Sequence, residues 1–188
     1  MPGRVDGRRF IITILLLVST AASLAMSGKV MARGHVERAG DVLSILIPAT
    51  GLSATLFYED GTEGSIQFLQ SFAMSQVTTD VLKVMTHKRR PNGSCCLSFP
   101  SGHTSAAFMG AAFIDRRYGW RYAVPAYLGA SYVGYSRIYA DKHYGIDVAA
   151  GAAIGFLSSY YFTKPYKGFN ITAMVDDDAY GLRVSRRW

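Results

Sequence analysis

The sequence predicts an all-α fold: a helical bundle of five to six helices with a short β-hairpin appended at the C-terminus. Apolar or amphipathic runs of helical length recur along the chain, broken by charged or Gly-containing turns. These runs are dense in Ala, Gly and Ser, small residues that let helix backbones approach closely. After residue 168 apolar and polar residues alternate, which is the period of a strand. At 188 residues the chain has room for one core and no second domain. Its 13% aromatic and 49% hydrophobic content can bury enough surface to offset chain entropy, which excludes disorder for most of it. The expected organisation is an N-terminal segment over 1–26, the bundle over 27–165 and a tail over 166–188.

Each element has its own reason. Arg4, Arg8 and Arg9 precede an uncharged run over 10–26 that ends in Ser23-Leu24-Ala25, the pattern of a secretory signal. The run also reaches the roughly 17–25 residues that span a bilayer, so a cleaved signal and an uncleaved membrane anchor both fit. Residues 42–58 are uncharged, hold Pro48 and Gly51, and predict a helix long enough to span. Residues 64–82 predict a helix with one polar side, made by Gln67, Gln70, Gln76 and Asp80. A run rich in Ala, Ser and Gly over 101–114 carries a histidine near its start, and 122–136 alternates small residues with four tyrosines. Residues 144–162 carry Asp147 and then an Ala/Gly-rich stretch. In the tail, 169–175 and 180–188 flank an acidic turn, Asp176-Asp177-Asp178, as two strands of a hairpin would.

Hydropathy and charge topology disagree on how many helices cross a membrane. The mean hydropathy of +0.13 is low for a bundle whose helices all face lipid. The runs at 64–82, 101–114 and 122–136 are too polar or too short to read as spans by themselves. With six crossings, however, the basic segments 115–121 and 164–167 fall on the side of the basic N-terminus, as the positive-inside rule requires. The acidic turn at 59–63 shares that side and gives no support.

The chain carries 20 Lys+Arg against 13 Asp+Glu, a net charge of +7, but no basic helix face with interleaved stacking aromatics, so nucleic-acid binding is not expected. Two cysteines exclude a disulfide scaffold, a four-thiolate zinc site and an iron–sulfur cluster. Cys95 and Cys96 are adjacent, and a bond between them would close a strained ring, so they read as loop or buried thiols.

Three local clusters carry chemistry. In the first, Lys83 and Arg90 lie seven residues apart, before Pro91. Seven residues are two helical turns, so both cations share a face if the helix runs on to the proline. Such a pair suits an anion, and an exposed basic helix end fits the same pattern. In the second, Pro100-Ser101-Gly102-His103 opens an Ala-rich helix. The amides of Ser101 and Gly102 would have no intrahelical acceptors and would make an anion seat, with His103 one turn in. The third is Ser136-Arg137, then His143, then Asp147. His143 and Asp147 are four apart, within carboxylate-to-imidazole reach on one helix face. A carboxylate on one ring nitrogen would leave the other free as nucleophile or base.

These eleven positions resemble the three-part signature of the type 2 phosphatidic acid phosphatases, the superfamily that includes bacterial class A acid phosphatases and vanadium haloperoxidases. The resemblance spans residues 83–147 by motif, and the flanking helices fit that family's helical bundle. Only eight residues, 92–99, separate the first two motifs, fewer than in many members, which leaves little material for a cap over the site.

The resemblance implies roles. His143 would attack phosphorus and form a phosphohistidine, with Asp147 orienting it. Lys83, Arg90 and Arg137, with the amides of Ser101 and Gly102, would hold the phosphoryl oxygens. His103 would protonate the departing alkoxide and then assist water. No metal and no other cofactor is called for, since cations and helix-end amides can neutralise the phosphoryl group. The expected activity is a metal-independent phosphatase for a phosphate monoester or pyrophosphate of a membrane lipid. Its place would be the bacterial envelope, with the site on the periplasmic side. A soluble secreted acid phosphatase, a vanadate-dependent haloperoxidase and a non-catalytic phospholipid-binding protein are the other readings. The expected partners are the phosphorylated lipid and the membrane, and the sequence sets no oligomeric state.

Overall fold

The computed structural model describes residues 33–166, together with the backbone of 169–176 and 179–186. The export segment expected over 1–26 lies outside the described residues. Five helices follow one another: α1 (Arg33–Phe57), α2 (Glu63–Thr86), α3 (Gly102–Tyr118), α4 (Trp120–Tyr139) and α5 (Gly145–Phe162). Strands β1 (Phe169–Asp176) and β2 (Ala179–Arg186) pair antiparallel, with Phe169 opposite Arg186 and Asp176 opposite Ala179. The helical bundle and the appended hairpin are those the sequence predicts. The largest shift of boundary is at α1, which is already helical over 33–41, because the polar stretch before the apolar run is also helical.

Helix α3 is the centre of the bundle and packs on all four others. Small residues make this possible. A Cβ on Gly110 of α3 would lie 2.7 Å from the Pro48 backbone of α1, and Cβ atoms on Gly151 and Gly155 of α5 would collide with the carbonyls of Ser101 and Ser105. α3 passes into α4 through Gly119 alone, whose φ of 101° is a left-handed conformation that a side chain would strain. Around α3 the apolar core is built from Leu43, Ile47, Ala107, Ala111, Ala130 and Val133, with a second cluster of Phe68, Met109 and Phe113.

Much of the interior is polar but hydrogen-bonded. Ser75 and Thr79 of α2 both meet the Ser105 hydroxyl, at 2.6 and 3.0 Å, and the Ser159 hydroxyl donates to the Met109 carbonyl at 2.7 Å. Large apolar side chains instead face outward: Ile45, Leu69, Val77, Leu128, Leu157 and Tyr161 are all more than half exposed. A low mean hydropathy is thus compatible with an apolar outer face, because part of the polar complement is turned inward. Charge is confined to the helix ends, leaving uncharged runs at 42–58, 64–79, 104–114, 122–136 and 148–163. These runs hold 11 to 17 residues, about 16–26 Å of helix, shorter than the roughly 30 Å hydrocarbon core of a bilayer. Of the described helices, Gly34–Phe57 is long and apolar enough to cross a membrane by length and composition.

At the end of α3 remote from His103, the Arg117 and Glu59 side chains are both buried and form a two-pronged pair, Nε to Oε1 at 2.7 Å and Nη2 to Oε2 at 2.5 Å. Nη1 of Arg117 also donates to Gln67 and to the Lys164 carbonyl, and the Tyr118 hydroxyl donates to Glu59. The acidic turn that fits the charge topology poorly thus contributes the counter-ion of a basic residue at the same end. In the loop between α2 and α3, the sulfurs of Cys95 and Cys96 meet as a vicinal pair, where the sequence reads as separate thiols.

Removing one partner of a buried ion pair leaves the other charge uncompensated. Arg117→Ala is expected to cost about 3–5 kcal/mol. Thermal unfolding in detergent should show a lowered Tm, and a Tm equal to wild type would refute the clamp.

Candidate active site

The site is organised by Asp147, whose side chain is wholly buried in the first turn of α5. Its Oδ1 receives Lys88 Nζ at 2.6 Å, and its Oδ2 receives the Ser98 hydroxyl at 2.5 Å and the Tyr144 amide at 3.0 Å. Its own carbonyl accepts the Ser101 amide at 2.9 Å. One residue thus ties together the loop before α3, the start of α3 and the start of α5. Lys88 also lies over the Tyr144 ring, 4.6 Å from its centroid.

His143 stands just before α5. Its Nδ1 is 2.6 Å from the Ser98 carbonyl, so Nδ1–H donates there and Nε2 carries the free lone pair. This corrects the direct Asp147–His143 contact that the four-residue spacing suggests. The helix begins at Gly145, after His143, and the Asp147 side chain turns back to cap the helix at Tyr144. Asp147 acts through Ser98, whose hydroxyl it receives and whose carbonyl receives His143. Burial pushes the His143 imidazole below its ordinary value, to about 4, with the Arg90 and Lys83 charges acting in the same direction. The Ser98 carbonyl and the Asp147 charge oppose this and do not overcome it. His143 is therefore a neutral base at neutral pH.

His143 lines a cavity of about 350 Å³ together with Lys83, Arg90, Gly102, His103, Arg137 and Lys142. Six of the eight sequence-predicted site residues meet there. Lys83 and Arg90 arrive differently from the helix-face expectation: α2 stops at Thr86, His87 takes a left-handed φ of 42°, and Arg90 reaches the cavity from the following loop. Gly102 gives Lys83 room, since a Cβ there would sit 2.8 Å from Lys83 Nζ. Arg90 Nε is buried with no partner among the described residues.

Two predicted residues are not on the cavity wall. Asp147 lies behind it, as described. Ser101 is fully buried, and because its amide is spent on Asp147 it has no free N–H for an anion. Arg137 is held by Ser136 Oγ, Asp41 Oδ1 and the Glu37 carbonyl at 3.1, 2.7 and 2.6 Å, which leaves two of its five N–H donors unspent by these bonds.

Sequence reasoning misses the acidic side of the cavity, Glu37 and Asp41 of α1, and the pairing of Lys88 with Asp147. Glu37 and Asp41 are four apart at the head of an apolar run, a signal that was there to be read. Ser98 carries no such signal.

A second cavity of about 550 Å³ adjoins the first and shares Lys83, Gly102 and His103 with it. The rest of its wall is mainly apolar, from α1 (Ile45, Pro48, Ala49, Leu52) and α2 (Phe68, Leu69, Phe72). Charged cavity and apolar groove are continuous around His103.

The chain is similar to proteins of known name. A lipid A 1-phosphatase of Porphyromonas gingivalis is 45% identical over 71 residues, 36% of this chain and 16% of that protein. A lipid A 4'-phosphatase of Helicobacter pylori is 37% identical over 109 residues, 56% of this chain and 52% of that protein. The chain thus spans about half the length, or less, of these curated relatives. In fold it resembles the transmembrane PAP2-type phosphatidylglycerolphosphate phosphatase of Bacillus subtilis, with a TM-score of 0.55 and 20% identity over 86% of this chain and 94% of that one. Residues 64–169, more than half of the sequence and all three motifs, match the PAP2 superfamily, and the chain belongs to it.

Proposed function

We propose that this protein is a membrane-embedded lipid phosphatase that works through a phosphohistidine on His143. The observation that carries the reading is the continuity of a cationic cavity with an apolar groove around His103. A phosphorylated lipid presents the same two chemistries in the same order, an anionic headgroup and an acyl or isoprenyl chain. The names of the relatives make a lipid A phosphate the first substrate to test. A soluble acid phosphatase needs neither the groove nor a band of exposed Leu, Ile and Val around uncharged helix runs.

The chemistry follows from the ring orientations. Nε2 of neutral His143 attacks phosphorus, while Lys83, Arg90 and the free N–H groups of Arg137 neutralise the phosphoryl oxygens with the Gly102 amide. The bond to the leaving oxygen breaks as His103 gives that oxygen a proton. Water then attacks the phosphohistidine, losing its proton to His103, and phosphate departs. Three cationic side chains supply the neutralisation that a metal ion provides elsewhere. Asp147, Lys88 and Ser98 hold His143 in place and touch no substrate.

The decisive experiment is phosphate release by wild type and His143→Ala on lipid phosphates and soluble phosphomonoesters, with EDTA present. Release from a lipid class by wild type, with loss of turnover and of acid-labile phosphoenzyme in the variant, is the expected result. Equal release from soluble esters would favour the acid phosphatase, and a fully active His143→Ala would refute the mechanism. Ala49→Trp fills the apolar groove and should lower kcat/KM for long-chain substrates by about 10-fold or more against short-chain ones, the scale of a few buried methylenes. Equal effects on both chain lengths would remove the groove from the substrate path.

The pH dependence has a definite sign. His143 is active when neutral and its folded value lies near 4, so the acid limb of kcat/KM is expected far below 6.5. The same shift favours the folded state above the unfolded histidine value of about 6.5, and that contribution is lost as pH falls toward 4. Histidine NMR on the full chain checks both; a His143 titration at 6.5 would contradict them.

A further inference from the structure

Helix α1 holds none of the three motifs and precedes the family match at 64–169, yet it builds one wall of the cavity. Its close approach depends on Gly40, where a Cβ would collide with Ser136 Oγ and sit 2.8 Å from Arg137 Nη2. One residue further, Asp41 Oδ1 receives Arg137 Nη1 at 2.7 Å and lies 3.2 Å from His103 Nε2. A carboxylate in a cavity meant for an anionic substrate repels that substrate, so its place there calls for a compensating role.

We infer that Asp41 is the positioning residue for His103: its carboxylate faces Nε2, accepts Nε2–H and turns Nδ1 toward the leaving-group oxygen. The inference rests on the reading of His103 as general acid. Burial and the charges of Arg137 from α4, Lys83 from α2 and Arg90 from the α2–α3 loop all disfavour the imidazolium. Asp41 opposes them without overcoming them, so the free ring lies below its ordinary value, and the phosphoryl dianion of a bound substrate adds the second negative charge that favours the imidazolium. In the first step the His143 Nε2–P bond forms and the P–O bond breaks, and the electron pair left on oxygen takes the Nδ1 proton. His103 is then neutral, with Nε2–H still on Asp41 and an Nδ1 lone pair ready for the water proton. In the second step that lone pair takes the proton, the water oxygen bonds phosphorus, and the N–P pair returns to His143.

Asp41→Asn keeps an oxygen for Arg137 and removes the charge beside His103. The test compares an alkyl substrate, a lipid phosphate whose alkoxide must be protonated, with p-nitrophenyl phosphate, whose phenolate leaves without a proton. The expected result is a fall in kcat at least about 10-fold larger on the alkyl substrate, the scale of general acid catalysis. In a His103→Gln background, adding Asp41→Asn should change the alkyl rate by less than about two-fold, because the two residues act as one unit.

Equal falls on both esters, a rate increase, or an undiminished effect in the His103→Gln background would overturn the inference. Asp41→Glu keeps the charge but displaces it, and serves the same test where Asp41→Asn does not fold: a leaving-group bias supports the role, and none refutes it. Wild type is assayed first. No release from any ester overturns the phosphatase reading and this inference with it, whereas release with a flat leaving-group ratio removes the inference alone.

Discussion

A carboxylate with no exposed surface must be answered by hydrogen bonds or lose its charge, and that of Asp147 is answered from two segments of the chain while its backbone carbonyl binds a third. Lys88 and Ser98 come from the loop before α3, the Tyr144 amide from the start of α5, and the Ser101 amide meets the Asp147 carbonyl. These bonds fix where α3 and α5 begin relative to each other. They also fix Ser98, whose carbonyl sets the tautomer of His143. A buried charge thus holds a neutral imidazole in its orientation without lending it much of the charge.

The remainder of the molecule serves the same end by an unusual division of side chains. Serines and threonines line the contacts of α3 with α2 and α5, where Ser75, Thr79, Ser105 and Ser159 have partners, while Leu69, Val77, Leu128 and Leu157 point outward. Hydrogen bonds and close backbone packing hold helices together where the surrounding medium is itself apolar. The glycines of α5 bring its backbone onto α3, so the two helices whose first turns carry His103 and Asp147 are also closely joined along their length.

Much of this was legible in the sequence because it is local. The five helices follow from runs of apolar and small residues, and the hairpin from alternation after residue 168. The cavity residues Lys83, Arg90, Gly102, His103, Arg137 and His143 follow from motif spacing. What was not legible depends on where helices stop. The shared helix face for Lys83 and Arg90 fails because α2 ends at Thr86, and the shared face for His143 and Asp147 fails because α5 starts at Gly145. Long-range partners were equally hidden. Glu59 reads as a misplaced charge until Arg117 is seen against it, and Asp41 reads as the edge of an apolar run until His103 and Arg137 are brought to it across more than sixty and ninety residues.

The separation of charge into two layers has a consequence for physiology. On the membrane reading, α3 runs from the phosphate cavity at one end to the Arg117–Glu59 clamp at the other, some 25 Å for its seventeen residues. Polar residues at both ends resist being drawn into hydrocarbon, so the cavity stays at the headgroup level of a single leaflet. Such an enzyme is sided. It can remove phosphate only from lipid already in that leaflet, and lipid made in the opposite one must first be moved across. Its flux would then be capped by transbilayer transport however fast His143 turns over.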